Sequence, residues 1–127
     1  MSNQPVAPII HICLNVADIE TSVEFYEQFG FEESWSFEDG GVENHYVADE
    51  NGVELQLRHD PEQGALEAGT AWDHLSLGVD SVDEELERID HHGIVAGPME
   101  KPPAGSYIVF FEDPDGHVVE LVEPLDD

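Results

Sequence analysis

Four residues of this sequence carry side chains that can share one positive ion: His11, Gln56, His74 and Glu120. Glu120 stands in the middle of the apolar run Val118-Val119-Glu120-Leu121-Val122. A carboxylate in such a strand is costly unless it is paired, and a metal ion is one of the few partners strong enough. The two imidazoles, the amide and the carboxylate offer two nitrogen and two oxygen donors. That set suits zinc, nickel, cobalt, manganese or ferrous iron and does not choose among them. Held beside a carboxylate, such an ion is a Lewis acid next to a proton carrier. A lone histidine on a strand is more often a structural hydrogen-bonding group than a ligand. Here a repeat argues for ligands.

Residues 47–58, V-A-D-E-N-G-V-E-L-Q-L-R, reproduce the layout of residues 111–122, F-E-D-P-D-G-H-V-V-E-L-V. Asp49 falls on Asp113, Asn51-Gly52 on Asp115-Gly116 and Gln56 on Glu120, each pair 64 residues apart. Upstream, His11-Ile-Cys-Leu-Asn-Val aligns with His74-Leu-Ser-Leu-Gly-Val at an offset of 63. The chain therefore reads as two copies of one module, about 8–60 and 71–124, joined by a linker over 61–70 within a single domain.

Alternation in Ile9 to Val16 predicts a first strand with Ile10, Ile12, Leu14 and Val16 on one face and His11, Cys13 and Asn15 on the other. Asp18 then caps a helix striped by Ile19, Val23, Tyr26 and Phe29 up to Gly30. Strands over Phe31–Phe37, Val42–Ala48 and Val53–Arg58 complete a β-α-β-β-β order. The second module starts with a strand over His74–Val79. A helix follows, opened by the Ser81/Glu84 capping box, striped by Val82, Leu86 and Ile89, and ended near Gly93 with His91 and His92 at its C-terminus. Residues 97–106, G-P-M-E-K-P-P-A-G-S, read as irregular, and strands over Tyr107–Phe111 and His117–Val122 follow. Strand parity puts His11, Gln56, His74 and Glu120 on the face opposite the helices, with Glu54 and Arg58 beside Gln56. His45, His59 and His117 have surface exposure as their default.

Thirty acidic residues against Arg58, Arg88 and Lys101 give a formal charge of −27 over 127 residues, spread along the whole length. Nucleic acid and anionic membranes are repelled by such a surface, and a chain this charged is tolerated best where salt screens it. The expectation is a salt-adapted protein. Cys13 is the single cysteine, so no internal disulfide argues for an oxidising compartment. The N-terminal M-S-N-Q-P-V-A-P has no basic region before an apolar run, and no apolar segment approaches a membrane span. A cytoplasmic protein is expected, with neither half folding alone.

The motifs His11-x-x-Leu14-x-Val16-x-Asp18, Gly69-Thr-Ala-Trp-Asp-His74 and Glu112-Asp-Pro-Asp-Gly-x-x-x-Glu120-Leu121 resemble the vicinal oxygen chelate superfamily, and within it most of all glyoxalase I, the lactoylglutathione lyases. The resemblance covers roughly residues 8 to 124. It implies an α+β fold of two βαβββ modules forming a cupped mixed sheet with helices on the outer face. It also implies one divalent metal held by His11, Gln56, His74 and Glu120, and a homodimer with shared sites. Two positions depart from the glyoxalase pattern. Gln56 stands where glyoxalases usually carry Glu, and an amide cannot act as a base, so Glu54 on the same face is a candidate substitute. Asn15 stands where bacterial glyoxalases often have an arginine for the glutathione carboxylate, which leaves Arg58 and Lys101 to hold an acidic thiol.

The resemblance implies this chemistry: the hemithioacetal of methylglyoxal and a small thiol binds through its vicinal oxygens, the metal stabilises an enediolate, and Glu120 carries the proton between carbons to give a 2-hydroxyacyl thioester. If Glu120 is only a ligand, the base falls to Glu54, Glu43 or His45. The His-Gln-His-Glu set also resembles methylmalonyl-CoA epimerase, although only three cations are present to meet the phosphates of an acyl-CoA. An iron-dependent ring-cleaving dioxygenase would use His11, His74 and Glu120 alone. A drug-sequestering protein of the bleomycin-resistance type would need no metal.

Overall fold

The computed structural model describes residues 6–67 and 69–126. Its elements run β1 (His11–Asn15), α1 (Ile19–Glu27), β2 (Glu32–Asp39), β3 (Val42–Ala48), β4 (Glu54–His59), β5 (Leu75–Gly78), α2 (Val82–Arg88), β6 (Ile94–Lys101), a 3-10 turn (Pro102–Ala104), β7 (Ser106–Glu112) and β8 (Val118–Pro124). The chain divides into two compact units between Gly64 and Ala65. Each unit is a mixed four-stranded sheet with one helix, in the orders β1-β4-β3-β2 and β5-β8-β7-β6. The first and last strands of each module pair in parallel, and all other pairs are antiparallel.

In the first unit Asp18, in extended conformation, accepts a hydrogen bond from the Thr21 amide at 3.0 Å and so caps α1. Ile19, Val23 and Tyr26 then fall on one helical stripe and are buried together with Leu14, Val16, Val47, Leu55 and Leu57 of the sheet. The second unit repeats this: Ser81 Oγ accepts from the Glu84 amide at 3.2 Å, and Val82 is buried with Val109, Phe111, Val119 and Leu121. The repeat extends to the turns. Asp49 Oδ1 accepts from the amides of Asn51 and Val53, both at 2.9 Å, and Asp113 Oδ1 accepts from those of Asp115 at 2.8 Å and His117 at 2.9 Å. Gly52 and Gly116 close these turns at φ of 83° and 85°, a left-handed conformation that only glycine adopts without strain.

Three expectations are corrected. Ile9 and Ile10 lie before the first strand and are 72% and 66% exposed, because the ladder with β4 begins only at His11 opposite Glu54. The second helix ends at Arg88, so His91 and His92 lie beyond it. There His91 Nδ1 accepts from the Gly93 amide at 3.1 Å, and the His92 amide donates to the Glu112 carbonyl. Residues 97–101, expected to be irregular, belong to β6. This is the edge strand of its sheet, paired only with β7, and its two register shifts accommodate Pro98 where no second neighbour needs its amide. Gly97 is required in that bulge, since a Cβ would come within 2.8 Å of the Ile108 carbonyl oxygen. No helix among the described residues is long and apolar enough to cross a membrane.

Candidate metal centre

Glu120 occupies the centre of β8, directly across from Ser76 of β5 on one side and Phe110 of β7 on the other. Its neighbours Val119 and Leu121 are fully buried toward the helix, so alternation turns the carboxylate to the opposite face. There Ser76 Oγ donates to Glu120 Oε1 at 2.6 Å, and His74 Nε2 lies 3.2 Å from the same oxygen. The other imidazole nitrogen, Nδ1, is 2.6 Å from Asp73 Oδ1, and the ring stands edge-on to Phe110 with centroids 5.1 Å apart. Both ring nitrogens therefore face a carboxylate oxygen, and Asp73 braces the imidazole through Nδ1. A ring that donates Nδ1–H to Asp73 and keeps Nε2 unprotonated presents a lone pair 3.2 Å from Glu120 Oε1, two donor atoms that one cation can bridge.

The first unit repeats the strand positions with different residues and contacts. Gln56 lies across from Cys13 of β1 and Tyr46 of β3, while Leu55 and Leu57 are buried on the helix side. His11 stands edge-on to Tyr46 at 5.5 Å between centroids, as His74 does to Phe110. Gln56 Nε2 donates to Asn44 Oδ1 at 2.8 Å. Trp35 stacks on Tyr46 with centroids 4.2 Å apart, and Phe37 extends the aromatic surface. Burial pushes the Tyr46 phenol above its usual range, with Cys13 and Glu54 adding to the shift, so it stays a neutral hydroxyl.

The four candidate ligands thus fall as two pairs, His11 with Gln56 on one open face and His74 with Glu120 on the other. Among the described residues no three His, Cys, Asp or Glu side chains cluster as a ready-made site. Glu54 shares the open face of the first unit, directly across from His11, and accepts a hydrogen bond from the Ser34 hydroxyl. Glu43 and His45 lie elsewhere. Pairing of His45 with the buried Leu57 puts them on the helix-side parity of β3, where His45 is 3.6 Å from Glu33 and 3.9 Å from Glu43. That removes both as alternatives to Glu120 or Glu54 on the open face. Arg58 donates to Asn15 Oδ1 at 3.2 Å, so Asn15 braces the guanidinium. Lys101 is exposed at the end of β6. Sequence reasoning overlooked Asp73, Ser76 and Asn44 as supports. The signal for the first two is position: one directly precedes His74, and the other follows it by two residues, on the same strand parity.

A family model of the Glyoxalase/Bleomycin resistance protein/Dioxygenase superfamily matches residues 9–121. The chain belongs to this superfamily. It is 31% identical to the lactoylglutathione lyase of Escherichia coli O157:H7, with 93% of each chain covered. Its fold matches a glyoxalase family protein from Bacillus cereus, with a TM-score of 0.82 at 13% identity and 99% of each chain covered. It also matches glyoxalase I of Leishmania major, with a TM-score of 0.78 at 20% identity over 93% of this chain and 87% of that one. Members of the superfamily generally use a divalent metal, and the residues here fit one. The His74 and Glu120 atoms that converge at 3.2 Å are both acceptors once Asp73 holds Nδ1–H, and Gln56 Oε1 has no hydrogen-bond donor among the described residues.

Proposed function

We propose that this superfamily member is a metal-dependent lyase of the glyoxalase I type, which converts the hemithioacetal of methylglyoxal and a small thiol into a 2-hydroxyacyl thioester. The observation that carries the reading is the braced pair of the second unit: Glu120 held by Ser76, and His74 held by Asp73 with Nε2 facing the carboxylate. The likeness to lactoylglutathione lyases over most of the chain supports it.

His11, Gln56, His74 and Glu120 would hold the ion, and their donor chemistry suits zinc, nickel, cobalt, manganese or iron alike. When bound, it supplies Lewis-acid stabilisation of the charge that develops on the substrate's two vicinal oxygens. Glu120 removes the proton from the carbon that bears sulfur and hydroxyl and returns one to the neighbouring carbon, formerly the ketone. The product is an isomer of the hemithioacetal, so no further reagent is needed. Ser76 keeps one carboxylate oxygen oriented through the transfer, and Glu54 supplies a second carboxylate on the face of Gln56. Arg58, held by Asn15, and Lys101 serve as the cations for an acidic thiol. We further propose a salt-adapted homodimer in which copies share their sites.

The test is thioester formation by purified, metal-loaded protein from methylglyoxal with a panel of thiols, beside exchange of the α-proton of a 2-methyl-branched acyl-CoA. Thioester formation with any thiol supports the proposal. Proton exchange of the acyl-CoA without thioester formation would transfer the protein to the epimerase branch, with which its His-Gln-His-Glu set is equally compatible.

A further inference from the structure

Gln56 differs from a carboxylate in a way that matters for any ligand role. A carboxylate presents an oxygen whichever way its plane turns, whereas an amide has one oxygen and one NH2, and the wrong rotamer points a donor at the cation. Something must choose. Gln56 Nε2 donates to Asn44 Oδ1 at 2.8 Å, and Asn44 Nδ2 in turn donates to the Val42 carbonyl at 3.4 Å. A backbone carbonyl accepts only, so it sets the orientation of the Asn44 amide. The Asn44 oxygen then sets that of Gln56, which leaves Gln56 Oε1 as the end of the amide not engaged by Asn44. Asn44 is 4% exposed, one of few buried polar side chains, which makes an unpaired alternative rotamer costly.

The duplicated module supplies an internal comparison. Asn44 lies across from Arg58 in the first unit, and the matching position in the second, across from Val122, is the buried Ile108. There the candidate ligand is Glu120, which needs no such selection. The orienting amide thus stands only beside the ligand that has two unlike ends.

We infer that Asn44 is a positioning residue that turns the Gln56 amide so that its oxygen faces the metal. The inference rests on the reading of Gln56 as a ligand. Asn44→Leu removes the acceptor at similar volume, and supports of this kind are worth about 10- to 100-fold in metal affinity. Calorimetric titration of the apoprotein with a zinc or nickel salt should show weakening of that order for Asn44→Leu and a comparable or larger loss for Gln56→Ala. In the Gln56→Glu background, Asn44→Leu should cost little, since either carboxylate oxygen can serve. Nuclear magnetic resonance of the apoprotein gives a readout independent of metal: the Gln56 side-chain amide protons should exchange faster in Asn44→Leu than in the parent. If Gln56→Ala weakens binding while folded Asn44→Leu leaves both affinity and exchange unchanged, the role of Asn44 is overturned and the ligand reading survives. If Gln56→Ala has no effect on affinity, both fall together. An equal loss from Asn44→Leu with Gln56 or Glu at position 56 assigns its effect to general packing and also overturns the inference.

Discussion

Glu120 and Gln56 occupy matching positions of the repeat, and their difference in chemistry separates binding a metal from moving a proton. Glu120→Gln keeps an oxygen ligand but loses the basic site, so thioester formation should fall by roughly 10²- to 10⁴-fold while metal remains measurable in the purified variant. Retained activity would make Glu120 a ligand only and pass the base role to Glu54. Gln56→Glu restores the usual glyoxalase donor set; if that variant gains activity with methylglyoxal while the parent has none, the parent works on another substrate. His11, His74, Gln56 and Glu120 were legible as candidates because the offsets of 63 and 64 align them before any strand is paired. Asp73, Ser76 and Asn44 were not. Their roles depend on which residue lies across the sheet, and register emerges only from the folded ladder.

At the scale of elements, helix α1 shows how local signals set the scaffold. The Thr21 hydroxyl, and then its amide, hold the Asp18 carboxyl below the usual carboxylate range. A depressed folded-state pKa contributes stability that is fully present above the unfolded value and is lost as pH falls through the folded one. Thermal melts of Asp18→Ala against the parent should therefore differ at neutral pH and converge in acid; a constant difference would assign the effect to something other than the charged cap. Leu57, fully buried between β4 and α1, is the packing counterpart, and Leu57→Ala should cost about 2–5 kcal/mol in urea unfolding. Strands β3, β4, β7 and β8 were readable to within a residue or two from alternation and their Asp-Gly or Asn-Gly turns. Strand β6 was hidden because Gly97 and Pro98 mark a bulge on an edge as readily as a loop, and only the pairing with β7 decides.

For the molecule as a whole, the charge of −27 is a physical property independent of the fold. Self-repulsion of 30 acidic groups should relax as counterions screen them, so the melting temperature is expected to climb steeply from tenths molar to molar KCl. A flat curve would remove salt adaptation from the account. The doubled module followed from the repeat, the β-α-β-β-β order from alternation and helix caps, and the α+β class from the family resemblance. The proposed function requires a single metal centre that takes two ligands from each module. The metal content of protein purified without added chelator addresses that claim most directly. About one divalent ion per chain in the parent, lost in both His11→Ala and His74→Ala, is the expected result. A parent free of metal, or an ion retained at full occupancy when either histidine is removed, would contradict a single centre built by both halves of the chain.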